Sequence, residues 1–196
     1  MSFLTLLSSL VFIFHKKDVF PMILYNEIVD CILSRRSIRS YARKSISTDA
    51  LETILEAGRY APSGMNHQSA KVIVIQSSQN MTKLVSLAKK ISGIDRNPFY
   101  EAPTVILVFG DSHSLTSDYD GATAIENMFL AAHSLGIGTC WIYAVTAIFA
   151  NVEGKAWQKE ISVPENYKII GSIAMGYTDS EIPSAKPRKD DFYTII

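Results

Sequence analysis

The sequence predicts a single domain that combines α-helices with β-strands, and three observations support this class. Apolar residues recur at helical spacing in several segments, and four short apolar runs suited to strands lie between those segments. The chain has 196 residues, of which 47% are hydrophobic, enough for one sizeable core. The alternation of the two patterns excludes all-α and all-β folds.

Five helices and four strands are predicted in chain order. Four of the helices are residues 26–34, 81–91, 119–135 and 152–160. The remaining helix, second in the chain, follows the N-cap candidates Ser47, Thr48 and Asp49 and ends near Ala61. The strands are residues 72–75, 104–109, 139–143 and 167–175, and the first of them is expected to be buried. Pro62 disfavours helix before it, and Gly136 suits a helix C-terminus. No Rossmann or P-loop fingerprint accompanies these elements.

Charge and cysteine content narrow the function classes. Basic and acidic residues balance at 19 each, so no overall basic excess favours a nucleic-acid partner. Cys31 and Cys140 form no CxxC pair, and the four histidines are scattered singly. We therefore expect no metal site, reduced thiols and a cytoplasmic location.

The first 21 residues differ from the rest of the chain. The segment from Ser2 to Phe14 is nearly all apolar. It is too short to span a bilayer as a helix. The segment also lacks the cationic start of a signal peptide. We interpret residues 1–21 as an apolar N-terminal extension or an over-called start, place the domain at 22–196 and expect no membrane association. The alternative is a segment that touches a membrane or packs in a dimer.

Two groups of basic residues are candidates for binding phosphate. The first group, which also contains a hydroxyl, is Arg35, Arg36, Ser37 and Arg39. Guanidinium forks match phosphate oxygens bidentately. A folded-back tail could add Lys186 and Arg188, which flank a stiff Pro187. A solvated basic surface and a nucleic-acid-binding segment are the alternatives, although no aromatic residues are interleaved as a stacking platform would need.

Other conspicuous residues are given structural interpretations. Cys140 lies in an apolar run, which predicts a buried, unreactive thiol. His67 and His133 have no companion acid at triad-like positions and are expected to be structural or solvated. Asp118 and Asp120 flank a helix start, where a capping or dipole role suffices.

Four ordered motifs resemble those of the nitroreductase family. They are Ser34–Tyr41 for its S-R-R-S-x-R-x-[FY] opening, Ala57–Gln68 for its A-P-S-x-x-N-x-Q segment, Leu135–Ile142 for its L-G-[IL]-G-[ST]-C-W segment, and Gly176-Tyr177 with Lys186-Pro187-Arg188 for its closing G-Y and K-x-R. In order and at plausible spacing, they cover the chain from about Ile28 to Arg188. The chain departs from the pattern at Ser69-Ala70, where the family often has Pro-Trp.

The resemblance implies an α+β fold, with a central mixed, mostly antiparallel sheet wrapped by helices, in a homodimer that holds two FMN molecules at the subunit interface. It implies an FMN-dependent oxidoreductase that transfers electrons in ping-pong fashion from NADH or NADPH to a nitroaromatic, quinone or similar small acceptor. The alternatives are a non-redox FMN store or sensor, and a specialised flavin reaction such as reductive dehalogenation. No side chain needs to act as an acid or base, because the flavin carries the chemistry.

The resemblance also assigns site residues. Arg35 and Ser37, joined by Arg36, would hold the FMN phosphate and ribityl chain, and Lys186 and Arg188 would close over the phosphate. Arg39 would face the pyrimidine edge of the flavin and support its reduced form. The remaining contacts would be Pro62, Ser63 and Asn66 from the other subunit, and the backbone of Tyr143 and Ala144 near the reactive nitrogen. A further family contact, between the second helix and the second strand, has no obvious counterpart here, and Asn97 is a candidate for it.

Overall fold

The structure, a computed structural model, describes residues 24–196, so the predicted extension at 1–21 lies outside the described residues. The helices are α1 (Glu27–Ser34), α2 (Thr48–Arg59), α3 (Ser78–Ser92), α4 (Ser117–Ser134), α5 (Val145–Ala150) and α6 (Val152–Glu160), with a 3-10 turn at Gly64–Asn66. The strands are β1 (Ala70–Ile75), β2 (Thr104–Asp111), β3 (Gly138–Ile142) and β4 (Tyr167–Gly176).

Helix ends follow the local signals in the sequence. Ser47 is the N-cap of α2, and its side chain accepts a hydrogen bond from the Ala50 amide. Helix α2 ends at Arg59, two residues before the predicted limit. Gly136, with φ +70°, follows the end of α4 in the left-handed conformation that glycine adopts without strain. Helix α5 is the one described helix that the sequence pattern missed.

The four described strands form one sheet in the order β1-β2-β4-β3, and every neighbouring pair is antiparallel. Beyond β3, Ser37 forms a parallel bridge with Thr139. The predicted α+β fold with a mixed, mostly antiparallel sheet is therefore confirmed.

Two apolar clusters pack against the two faces of the sheet. Central strand β2 alternates between them, because Val105, Leu107 and Phe109 enter one cluster and Ile106 and Val108 enter the other. The first cluster contains residues of α3, α5 and α6, and the second contains residues of α2 and α4. Helices therefore cover both faces, as the resemblance implies. Edge strand β1 is less buried than predicted, since only Ile75 of that strand is fully buried.

Candidate functional site

The predicted phosphate-binding segment is fixed to the outer edge of β3. The Ile38 amide donates to the Thr139 carbonyl at 2.8 Å, and the Ile38 side chain is buried. The Tyr41 hydroxyl lies 2.6 Å from the Ile38 carbonyl and 3.0 Å from the carbonyl of Ala174 on β4. Burial raises the pKa of Tyr41, so its hydroxyl keeps the proton that these bonds require. The segment therefore extends the sheet in a defined register.

Two of the predicted cofactor residues lie on one face of this segment. Ser37 and Arg39 are two residues apart in an extended backbone, which places them on the same side. Burial raises the pKa of the Cys140 thiol, while Arg39, Ser37 and Arg35 lower it by their proximity. Cys140 is therefore a buried thiol, as predicted, close to these three residues.

Arg35 and Arg36 carry buried donors that have no acceptor among residues 24–196. These donors are Nε and Nη1 of Arg35 and Nε of Arg36. The Arg35 Nε lies 3.7 Å from the nearer Glu126 carboxylate oxygen, an ion pair rather than a hydrogen bond. Buried polar groups are almost always hydrogen-bonded, and guanidinium groups match phosphate oxygens. The donor set therefore fits the phosphate of FMN, which supports the predicted role of these two residues.

A cleft of about 90 Å³ adjoins the two arginines. His133 lies on its wall and shares a 2.8 Å hydrogen bond with the Ser34 hydroxyl, which agrees with its predicted structural role. Burial, and then the charges of Arg35 and Arg36, lower the pKa of His133. The imidazole is therefore neutral at neutral pH and adds no charge to the cluster.

The C-terminal tail approaches the same cleft, but the predicted tail cations do not join it. Thr178 and Ile182 line the cleft. Lys186 and Arg188 are exposed to solvent in the described chain. Their predicted closure over the phosphate stays a prediction.

Arg39 is exposed and lies over the ring of Tyr100, with 6.0 Å between its guanidinium carbon and the ring centroid. Tyr100 and Glu101 both adopt left-handed backbone conformations, with φ of +56° and +57°. Such conformations are uncommon for residues other than glycine and cluster at functional sites. Asn97, the predicted flavin contact, accepts a 2.8 Å hydrogen bond from the Phe99 amide and so stabilises this turn.

Tyr143 and Ala144 follow the last residue of β3, on the edge that also carries the arginine segment. Both are exposed, Tyr143 by 71%. The Tyr143 carbonyl accepts hydrogen bonds from the amide and the hydroxyl of Thr146, which fix the turn into α5. The Trp141 ring, one residue before the end of β3, packs edge-to-face against Phe129 and belongs to the core.

The third predicted group, Pro62, Ser63 and Asn66, lies in the loop that leads from α2 to β1. The Ser63 hydroxyl accepts a 3.0 Å hydrogen bond from the Gln68 amide, and the Pro62 carbonyl accepts one of 3.2 Å from Thr123 on α4. Pro62 and Ser63 line a cavity of about 330 Å³. The loop is thus an ordered surface beside a cavity.

Within one protomer, this loop leads into the edge strand opposite the edge that carries the arginine segment. Strands β1 and β3 are opposite edges of the sheet, three strand spacings or about 14 Å apart. The loop precedes Ala70, whereas Ser37 pairs with Thr139, whose row across the sheet runs through Met175 and Thr104 to the far end of β1. Five residues of strand add about 16 Å, so Ala70 lies about 20 Å from Thr139, the residue that pairs with Ser37.

Asp120 is a site-related residue that sequence reasoning misjudged. It is only 5% exposed, and its carboxylate accepts hydrogen bonds from the 62–69 loop rather than only serving as a cap or dipole partner. The available signal was its spacing, because Asp120, Ala124 and Met128 form one buried stripe of α4. Asp118, by contrast, is exposed and pairs with Lys168 at 2.7 Å.

Residues 24–196 contain neither a metal-binding cluster nor a membrane-spanning helix. No group of three or more His, Cys, Asp or Glu side chains in this range is placed to hold a metal ion. None of the helices in this range is both long enough and apolar enough to cross a membrane.

Comparison with known proteins places this geometry in a family. The model of the "Nitroreductase family" matches residues 32–92 and 86–177. A putative NADH dehydrogenase/NAD(P)H nitroreductase of Archaeoglobus fulgidus is 32% identical over 161 residues, 79% of this chain and 87% of the relative. An FMN reductase [NAD(P)H] of Bacillus subtilis is 30% identical over 137 residues, 61% of this chain and 55% of the relative.

Solved structures of nitroreductases are also similar to this chain. The nitroreductase of Bacteroides fragilis with bound FMN is 34% identical and has a TM-score of 0.81, covering 88% of this chain and 100% of that one. A nitroreductase of Desulfitobacterium hafniense with bound FMN is 27% identical, with a TM-score of 0.79 and the same two coverages. The fold and the site thus define a nitroreductase-like domain. The chain belongs to the nitroreductase family.

Proposed function

We propose that this protein is an FMN-dependent oxidoreductase that takes electrons from NADH or NADPH and passes them to a small acceptor. The observation that carries the proposal is the set of three buried guanidinium donors without acceptors at Arg35 and Arg36. Relatives named as NAD(P)H nitroreductase and FMN reductase, and FMN-bound structural neighbours, support it.

The arginine segment is proposed to bind the phosphate end of FMN. Arg35 and Arg36 supply the buried donors, and the Ser37 hydroxyl adds a group that can donate or accept. The segment is held to β3 and β4 by backbone and Tyr41 hydrogen bonds, so the donors are fixed before the ligand arrives. A fixed donor set loses little conformational freedom on binding. Lys186 and Arg188 are proposed to add charge from the tail.

Arg39 and the end of β3 are proposed to contact the flavin ring. FMN, when bound, supplies the redox chemistry, accepting hydride from a reduced nicotinamide and passing electrons on. Arg39 provides a fixed positive charge that favours the negative charge gained on reduction. Its guanidinium lies over the Tyr100 ring, which limits its orientations. Tyr143 and Ala144 present backbone groups on the same edge.

The working unit is proposed to be a homodimer with FMN at the subunit interface. Within one protomer, Ala70, which follows the loop of Pro62, Ser63 and Asn66, is about 20 Å from Thr139, which pairs with Ser37, and a second subunit would bring its own copy of the loop to the arginine segment. Helix α1 presents an apolar surface suited to such an interface, with Ile28 71% and Ile32 50% exposed. The free thiols Cys31 and Cys140 support a reducing, cytoplasmic setting.

The reaction is proposed to proceed in two stages at one site, with a nitroaromatic, a quinone or a similar small molecule as the acceptor. The nicotinamide would leave before the acceptor enters, because both would use the one site beside Arg39 and the end of β3. Initial rates with FMN-loaded protein test this scheme when NADPH or NADH is varied at several fixed quinone concentrations. Parallel double-reciprocal lines are expected. Intersecting lines would contradict the shared site, and no quinone reduction at all would contradict the oxidoreductase assignment.

A further inference from the structure

The loop that carries Pro62, Ser63 and Asn66 has an unusual backbone. Met65, Asn66 and Gln68 all have left-handed conformations, with φ of +51°, +57° and +48°. None of the three is glycine, so each conformation costs free energy that the surrounding structure must offset. Their side chains are exposed, Met65 by 89%, so burial of these side chains does not explain the conformation.

The Asp120 carboxylate joins the two ends of this strained turn. One oxygen accepts a 3.0 Å hydrogen bond from the Gly64 amide, before the left-handed residues. The other accepts bonds of 2.6 Å from the Ser69 hydroxyl, after them, and of 3.1 Å from the Thr116 hydroxyl. Helix α4 carries Asp120 in its first turn, so the clamp is anchored to a rigid element.

Asp120 keeps its charge in this buried position. Burial acts to raise its pKa, but the hydrogen bonds from Ser69, Gly64 and Thr116, together with the nearby His67, lower the pKa below its ordinary value. Hydrogen bonds to an ionised acceptor are stronger than those between neutral groups. The charged carboxylate is therefore well suited to offset a strained backbone.

We propose that Asp120 is a positioning residue for the cofactor: it holds the loop in the conformation that presents Pro62, Ser63 and Asn66 to the FMN. This inference rests on the proposed function, because the loop's contact with FMN does. Asp120 touches neither the cofactor nor a substrate in this scheme. It acts through the backbone of the loop.

The first test is the FMN dissociation constant of Asp120→Asn, with Asp118→Asn as the matched control. The control changes an exposed aspartate one position from the start of the same helix. Asp120→Asn is expected to weaken FMN binding about tenfold or more, as when a charged hydrogen-bond acceptor becomes neutral. Asp118→Asn is expected to leave it unchanged. FMN binding by Asp120→Asn within about twofold of the wild type would overturn the inference.

Rescue by glycine separates positioning from a general loss of stability. Glycine adopts a left-handed backbone without cost, so Met65→Gly should restore FMN binding in the Asp120→Asn background. Leu115→Gly, which changes a fully exposed residue of a neighbouring loop, should not restore it. If Met65→Gly also failed to restore FMN binding in the Asp120→Asn background, the positioning role of Asp120 would be overturned. If Asp120→Asn does not fold, Ser69→Ala removes one donor to the carboxylate and is expected to give a smaller loss that Met65→Gly also reverses.

Amide hydrogen exchange of the FMN-free protein tests the clamp without the cofactor. The Gly64 amide should exchange faster in Asp120→Asn than in the wild type, while the amides of β2 keep their protection. Equal exchange rates at Gly64 would overturn the clamp. If the wild type binds no FMN while the Gly64 amide still exchanges faster in Asp120→Asn, the clamp stands, and the proposed function fails together with the cofactor role that rests on it.

Discussion

Replacing Arg35 with methionine should abolish tight FMN binding while leaving the FMN-free fold almost unchanged. Arg35 has two buried donors without acceptors, Nε and Nη1. A hydrogen bond between charged groups contributes about 1.5–3 kcal/mol, so loss of two costs about 3–6 kcal/mol. Since about 1.4 kcal/mol corresponds to a factor of ten, the dissociation constant should rise at least about 100-fold.

Arg35→Met should change the stability of the FMN-free protein much less than it changes FMN binding, because its stabilising and destabilising contributions offset each other. Removing two buried donors without acceptors relieves about 2 kcal/mol, at the lower end of their usual cost. Against this, the ion pair with Glu126 is worth about 0–1 kcal/mol, and the cation–π contact with Phe129, at 5.4 Å, about 0.5–1 kcal/mol. The free energy of unfolding should therefore rise by no more than about 1.5 kcal/mol.

Two measurements on the same preparations check this prediction. Fluorescence titration gives the FMN dissociation constant, and urea unfolding of the FMN-free protein gives the free energy of unfolding. Arg43→Met is the matched control, since Arg43 is exposed on the same segment and is not assigned to the site. Arg35→Lys, which keeps the charge but loses the planar fork, should bind FMN with intermediate affinity. An Arg35→Met protein that keeps wild-type FMN affinity, or that loses more than about 3 kcal/mol of stability, would refute the reasoning.

Three further predictions concern the flavin ring, the interface and acid stability. Arg39→Ala should slow flavin reduction by NADPH in stopped-flow experiments more than it weakens FMN binding; equal effects on both would contradict its role at the pyrimidine edge. A heterodimer of one Arg35→Met protomer and one Asn66→Ala protomer should bind one FMN tightly, because one of its two sites is intact, whereas either homodimer should bind none tightly; sites confined within single protomers would leave the heterodimer without tight binding. The pKa of Asp120 is lower in the folded protein, so its stabilising effect is complete above the ordinary aspartate pKa of about 3.9 and is lost as the pH falls through the folded value. Below about pH 4 the wild type should therefore lose stability with a steeper pH slope than Asp120→Asn, and parallel curves in acid unfolding would contradict this.

Local patterns in the sequence predicted most of the elements. Helix α6 has the predicted bounds, and the ends of α2 and α4 follow from Ser47 and Gly136. Helix α5 was missed because its six residues, VTAIFA, are nearly all apolar and show no polar face from which a period could be read. The partial exposure of β1 was also missed, since apolar content does not reveal that a strand lies at the edge of a sheet.

The site was predictable in its residues but not in its arrangement. The motif with Arg35 and Ser37 could be found from spacing, but its distance from Asn66 depends on the strand order, which is a long-range property. The left-handed backbone of Met65 had no local signal, because glycine is the usual marker of such positions. Asp120 was taken for a helix-start residue because its two loop partners, Gly64 and Ser69, lie more than fifty positions away in the sequence.

An anaerobic titration of the FMN-reconstituted protein with NADPH and NADH, followed by the visible absorbance of the flavin, tests the central claim most directly. The account predicts that the flavin is bleached rapidly by at least one of the two nicotinamides and recovers its colour when a quinone is added. A bound flavin that stayed oxidised with both would contradict the oxidoreductase function, and a protein that retained no flavin would contradict the FMN site at Arg35 and Arg36.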